Sequence, residues 1–239
     1  MGLIANGHSG DLVLNIGSHF LKFGKRNAEQ YAKMVDKVPL PYRYPKVGLW
    51  KGVLSIENLT RAPYSARPLH EKAVFDVTKL IAYMDPLMKK QFDANPAWMK
   101  KLETMPKAIR AYFVGNMLCR EDLELPMGYC HGDFTLENLF YGNGIIWAID
   151  PIKGYIESPV MDYIKIRQDL VYGWDAHRGY GLPQAWLDVH MALSQFYKPK
   201  TLLKLDAMNI ARIYPYGNKR TKDWCWKALH QVSRAWNKL

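Results

Sequence analysis

His131-Gly132-Asp133-Phe134-Thr135-Leu136-Glu137-Asn138, with Ile149-Asp150-Pro151 placing a second aspartate twelve residues after Asn138, is the stretch that decides how this chain is read. An aspartate and an asparagine five residues apart can face one point across a short turn. Leu139–Tyr141 and Ile145–Ile149 are apolar runs around Gly142-Asn143-Gly144, a hairpin signal, so Asp150 arrives at the end of the return strand. Hard oxygen donors of this kind suit Mg²⁺, which takes one or two protein groups and fills its other positions with water and phosphate oxygens. A neighbouring aspartate left off the metal can accept a proton from a hydroxyl nucleophile, and the whole set is what phosphoryl transfer from ATP requires. A chance Asp-Asn-Asp pattern on a structural turn would show the same spacing.

The pattern H-G-D-x-x-x-x-N followed by a hydrophobic residue and Asp resembles the aminoglycoside phosphotransferase and choline kinase group. These are relatives of the protein kinases with H-G-D in place of H-R-D. The resemblance implies an α+β, protein-kinase-like fold of two lobes, a small β-rich N-terminal lobe and a mainly helical C-terminal one. It implies ATP and Mg²⁺ as cofactors. Asp133 takes the place of the catalytic base, Asn138 that of a Mg²⁺ ligand, and Asp150 that of the metal-binding aspartate, with Pro151 where protein kinases have Phe-Gly. His131 is expected to hydrogen-bond backbone rather than act as a base. The resemblance covers about residues 7 to 170; the segment after it matches no substrate signature.

The first sixty residues read as strands around one helix. Leu12–Ile16 and His19–Phe23 flank a Gly17-Ser18 turn, and Val47–Trp50 and Val53–Ile56 flank Lys51-Gly52. Lys22 lies between Leu21 and Phe23 and so points to the face opposite theirs. It resembles the strand lysine that contacts the α- and β-phosphates; an edge-strand lysine guarding against aggregation would look the same. Glu29, in a helical pattern over Asn27–Val35, resembles that lysine's ion-pair partner, or is a solvated helix residue. Gly7-His8-Ser9-Gly10 could let backbone N–H groups, with Gly10 at their end, approach phosphates, as could any plain turn. Glu57-Asn58-Leu59 resembles the interlobe hinge, where the backbone of Glu57 and Leu59 would read the adenine edge.

Beyond the Thr60–Pro68 loop the apolar spacing turns helical, at Ala73, Val77, Leu80, Ile81 and Met84. Pro96 and Pro106 sit at expected first positions of helices over about 96–104 and 106–119. Gly128–Cys130 is a further short apolar run. Ser158-Pro159 is expected to open a helix, Ser as cap, with Tyr163, Ile166 and Leu170 inward and Gly173 as its stop. Asp162, one turn in, resembles a family aspartate that steadies the catalytic loop; helix-dipole complementation is the plainer account. The remainder is helical and rich in Trp. The lobes are expected to divide as residues 1–59, a nucleotide-binding unit, and 60–239, a catalytic and acceptor-binding unit.

Composition narrows the class further. The chain has 239 residues, 49% hydrophobic and 23% charged, which suits a folded protein that needs neither disulfides nor a metal to build its core. No apolar run is long enough to span a membrane, and the first residues lack a secretory pattern, so a cytoplasmic protein is expected. Cys119, Cys130 and Cys225 have no C-x-x-C spacing, which leaves packing thiols, or for Cys130 beside His131 a nucleophile. The charge is +11, from 33 basic and 22 acidic residues, and ten basic against two acidic residues lie between Lys198 and Leu239. Such a tail forms either a face for an anionic partner or a solvated surface. The expected activity is therefore phosphorylation of a hydroxyl on a small molecule or sugar, an anionic acceptor being one reading. The alternatives are a kinase acting on a protein side chain or nucleic-acid group docked on the basic face, and a nucleotide-binding pseudokinase-like module.

Overall fold

A computed structural model of the chain describes residues 2–4, 12–23, 41–51, 53–61, 66–68, 78–85, 89–179 and 184–239. Five strands, β1 (Gly2–Ile4), β2 (Leu12–Asn15), β3 (His19–Phe23), β4 (Val47–Trp50) and β5 (Val53–Glu57), form an antiparallel sheet in the order β1-β2-β3-β5-β4. Both expected hairpins are present. Gly17 closes the first at φ +90, where a side chain would be strained, and its N–H is held at 2.9 Å by the Asn15 side chain. In β3, Lys22 stands opposite Val13 on one side and Leu54 on the other, on the face that buries Leu54 and Ile56. Leu21 and Phe23 take the other face, as the alternation predicts.

Asn58 fixes the exit from this sheet. Its N–H donates to the Ser18 carbonyl at 2.8 Å, its side-chain amide to the Gly17 carbonyl at 3.0 Å, and its Oδ1 accepts from both Thr60 donors. A buried polar side chain with its hydrogen bonds made stiffens the link between the two halves. The segment ahead of β4 crosses over in the other direction. Tyr42 enters the main core, and Arg43 bonds the backbone of Ile146 and Ala148 at 2.8 Å each.

The helical part comprises α1 (Thr78–Met84), α2 (Asn95–Glu103), α3 (Lys107–Gly115), α4 (Val160–Leu170), α5 (Trp174–Arg178), α6 (Gln184–Ser194), α7 (Pro199–Ala211) and α8 (Lys219–Trp236). Two small sheets accompany it: β6 (Arg67–Pro68), β9 (Leu139–Gly142) and β10 (Ile145–Ala148) in the order β10-β9-β6, and β7 (Gln91–Asp93) with β8 (Glu124–Pro126). Pro96 falls within the first turn of α2, as expected, whereas Pro106 lies just ahead of α3 as its cap. α3 stops at Gly115, short of its expected end, and Met117 follows at φ 58. The apolar run Gly128–Cys130 is not a strand; the strand lies a few residues earlier, at β8.

α4 passes through the middle of the helical part, against α1, α5, α6 and α7. Every residue from Val160 to Asp169 is buried, so the one-sided helix that Tyr163, Ile166 and Leu170 suggest is buried on all faces. Its polar residues are therefore paired inside. Arg167 donates to Asp206 at 2.7–3.1 Å, and Tyr172 adds its hydroxyl to the same carboxylate at 2.7 Å. Ser158 does not cap α4 with its side chain; its carbonyl accepts the Met161 N–H at 3.0 Å instead. Trp224 and Trp236 are buried core and Trp226 is partly buried against it, while all three cysteines are free thiols.

Candidate active site

The H-G-D loop is held from behind by α4. Asp162, fully buried in the first turn, accepts the His131 N–H at 2.9 Å and the Gly132 N–H at 3.0 Å, with the Tyr83 hydroxyl 3.2 Å away. Burial pushes its carboxyl up to about 7, against the pull of those donors. In front, the His131 carbonyl accepts the Ile152 N–H at 3.0 Å. Gly132 sits between these anchors at φ +80, and a Cβ there would lie 2.2 Å from the Ile152 carbonyl oxygen. Only glycine fits.

His131 is buried, stacks on Tyr44 with ring centroids 5.8 Å apart, and accepts the Asp133 N–H at Nδ1 at 3.3 Å. Burial lowers its pKa to about 4 despite the Asp133 charge, so the ring is neutral at neutral pH and binds backbone, as expected.

Asp133 is gripped on both carboxylate oxygens. Lys165 Nζ lies 3.0 Å from Oδ1, and Asn138 Nδ2 donates to Oδ2 at 3.0 Å and to the Asp133 carbonyl at 2.9 Å. Removal from water would raise the Asp133 pKa; the Lys165 ammonium overrides this and holds the group below the usual carboxylate range. The one-turn helix Leu136–Asn138 closes the loop, with the Leu136 N–H bonded to buried Asp169 at 2.8 Å. Because Asn138 spends its amide nitrogen on Asp133, Oδ1 is the atom it has left to offer a cation.

The β9–β10 hairpin brings Asp150 alongside. Its ladder pairs Leu139 with Ala148, and one step on the Ile149 N–H bonds the Asn138 carbonyl at 2.9 Å. Asp150 itself adopts φ 53, a left-handed conformation that costs a non-glycine residue about 1–2 kcal/mol. Strain of this kind collects at functional positions. From the five-stranded sheet, Lys22 Nζ reaches Asp150 Oδ1 at 3.1 Å, 128 residues away in sequence. A carboxylate and an amide oxygen fit an ion that keeps water and phosphate in its shell. No group of three or more His, Cys, Asp or Glu able to cage a metal occurs among the described residues.

Lys22, Asp133, Asn138 and Asp150 are thus gathered at one place, and Asp162 stands behind them. Glu57 and Leu59 lie at the sheet's exit. The Glu57 carboxylate accepts the Lys46 N–H at 3.3 Å, the Leu59 carbonyl accepts the Ala66 N–H at 2.8 Å, and the Leu59 N–H has no partner among the described residues. Gly10 and Glu29 lie outside the described residues, as do the rest of the Gly7–Gly10 turn and the Asn27–Val35 pattern. Sequence reasoning missed Lys165 and Asp169. Their one signal is the spacing of Asp162, Lys165 and Asp169, which sets all three on one face of a helix whose Asp162 holds the loop.

Comparison with known proteins agrees with the architecture. The chain is similar to the crystal structure of a choline/ethanolamine kinase family protein from Mesorhizobium loti, with a TM-score of 0.55. The likeness covers 94% of this chain and 84% of that one at 14% sequence identity. The fold is kinase-like. No protein-family model and no curated protein sequence matches the chain. No helix among the described residues is long and apolar enough to cross a membrane.

Proposed function

We propose that this chain transfers the terminal phosphoryl group of ATP, with Mg²⁺, to a hydroxyl of a small molecule or sugar. The observation that carries the reading is the meeting of Lys22 and Asp150 at 3.1 Å beside the Asp133–Asn138 pair. A sheet lysine, a strained hairpin aspartate and a loop aspartate-asparagine pair come from three separate elements, and packing alone does not require them together. In this reading residues 1–59 hold the nucleotide and 60–239 the metal, base and acceptor. Asp150 and the Asn138 Oδ1 hold Mg²⁺, which when bound neutralises phosphate oxygens. Lys22 pairs with phosphate, aided by Glu29; the Gly7–Gly10 backbone covers the phosphates, and the Glu57–Leu59 backbone reads the adenine edge. Asp133, kept ionised by its neighbours, orients the acceptor hydroxyl and takes its proton. Positioning and charge neutralisation, rather than covalent chemistry, supply the rate.

One observation favours an anionic acceptor. Lys219, Arg220, Lys227 and Arg234 are exposed on α8, a cationic surface on the acceptor-binding side of this division. The activity is tested by ATP consumption with Mg²⁺ against sugars, amino alcohols, nucleosides and basic proteins. Asp133→Asn should lower turnover about 10²–10⁴-fold while nucleotide binding survives. A variant keeping more than about half of wild-type activity rejects the base assignment, and a wild type that neither binds nor consumes ATP rejects the reading.

A further inference from the structure

The loop Asp133–Asn138 contains neither lysine nor arginine, and Lys22 is held at Asp150. Phosphoryl transfer nevertheless develops charge on the equatorial oxygens of the moving group, and fixed cations at that point supply much of the rate. Lys165 on α4 brings an ammonium to the spot. Its Nζ is 3.0 Å from Asp133 Oδ1, and the side chain is only 9% exposed. An ammonium so far out of water is costly unless it is paired and hydrogen-bonded. Its second contact, to Gln168 Oε1, is long at 3.4 Å, and its remaining N–H has no partner among the described residues.

Distance limits what that remaining N–H can meet. An acceptor oxygen bonded to Asp133 at about 2.7 Å and poised for attack at about 3–3.5 Å brings the phosphoryl oxygens within reach of an ammonium already touching the same carboxylate. Arg212, which also bears on the Asp133 charge, stacks instead on Tyr155, 5.1 Å from its ring centroid.

We infer that Lys165 supplies the positive charge at the transferring phosphoryl group, delivered from α4 rather than from the catalytic loop, with Asp133 as its resting partner. The inference rests on the phosphotransfer reading. In the step, the acceptor oxygen bonds to phosphorus as the bond from phosphorus to the ADP oxygen breaks. ADP leaves with that electron pair, the hydroxyl proton passes to Asp133, and Lys165 remains an ammonium throughout.

Binding of a phosphoryl-transfer mimic separates this role from a structural one without needing turnover. Calorimetry on the full chain would compare Mg²⁺–ADP alone with Mg²⁺–ADP plus aluminium fluoride. Lys165→Met should lose about 10²-fold or more of the extra affinity that fluoride confers, while its affinity for ADP alone stays within about twofold. Lys165→Arg should restore most of the fluoride-dependent affinity. Lys165→Gln, which keeps a hydrogen bond to Asp133 without the charge, serves the same comparison should the Met variant not fold. Equal loss for both ligands, or loss for neither, overturns the inference and leaves Lys165 a packing partner of Asp133. A wild type that gains no affinity from fluoride refutes the phosphotransfer reading itself, and the role of Lys165 falls with it.

Discussion

Gly132→Ala puts the geometry of the H-G-D loop to its hardest test. The new Cβ meets the Ile152 carbonyl oxygen at 2.2 Å, about 1 Å inside any tolerable contact, and that oxygen is backbone, with no rotamer to escape into. The φ of +80 adds about 1–2 kcal/mol for a residue with a Cβ. Relieving the clash separates the two segments and breaks the Ile152-to-His131 hydrogen bond, worth about 1 kcal/mol. The expected destabilisation is about 2–3 kcal/mol, or a fall of roughly 4–12 °C in Tm for a chain of this size. A displacement of about 1 Å next to Asp133 should also cost about 100-fold in turnover while nucleotide affinity survives. Gly144→Ala is the control. It carries the same kind of strain, at φ +72 in the β9–β10 turn, but nothing lies within 4 Å of the added atom. Differential scanning calorimetry and initial-rate assays on both variants decide the matter. If Gly132→Ala loses no more stability or activity than Gly144→Ala, the close approach of Ile152 does not shape the loop.

Asp150→Ala should weaken ATP binding in the presence of Mg²⁺ and leave the metal-free affinity nearly unchanged; calorimetric titrations that keep the same metal dependence would remove Asp150 from the site. Asp162 makes stability depend on pH. Its carboxyl titrates near 4 in the unfolded chain but is raised to about 7 by burial in the fold, so its contribution is complete below pH 4 and is lost as pH rises through 7, at up to ~1.4 kcal/mol per unit. Asp162→Asn should lack that descent, and a Tm difference between variant and wild type that stays constant from pH 4 to 7 would contradict the assignment. For an anionic acceptor, KM should rise steeply with salt, and charge reversal at Lys219, Lys227 and Arg234 should imitate the effect at low salt. An acceptor KM indifferent to both makes α8 a solubility surface.

Features set by local chemistry were legible in the sequence. Gly17, Lys51 and Gly144 mark hairpins because a tight turn demands particular backbone angles, and the strands on either side follow from alternation. Lys22 could be placed on the face opposite Leu21 and Phe23 by the same period of two, and the structure shows that face to be the one that buries Leu54 and Ile56. The register of the β9–β10 hairpin carries Asp150 to the end of the return strand beside Asn138, so the nearness of these two residues was readable from a turn and two strand lengths. Where the structure departs from expectation, backbone groups have found partners other than those the local sequence suggests. The Ser158 carbonyl, rather than its hydroxyl, receives the Met161 N–H in the first turn of α4. The run Gly128–Cys130 is apolar, yet Gly128 donates its N–H to the Glu157 carbonyl across the chain and leads into the loop instead of forming a strand.

The largest departure concerns α4, and it explains why part of the site was hidden. Periodicity assigns a helix one buried stripe and leaves its polar residues to solvent, which is correct when only one neighbour packs on it. α4 has neighbours on every side, so Asp162, Lys165, Gln168 and Asp169 are buried as well. Each must then find a partner. Asp162 and Asp169 find the backbone of the H-G-D loop and of Leu136, and Lys165 finds Asp133. The same burial thins the basic tail. Lys204 is fully buried against Asn95 and the Glu121 carbonyl, and Lys200 pairs with Glu121 at 3.1 Å, so neither contributes fully to a cationic surface. Net charge summed along a sequence therefore overstates the field this lobe presents, while a helix with too many polar residues for one exposed face points to a polar site in the interior.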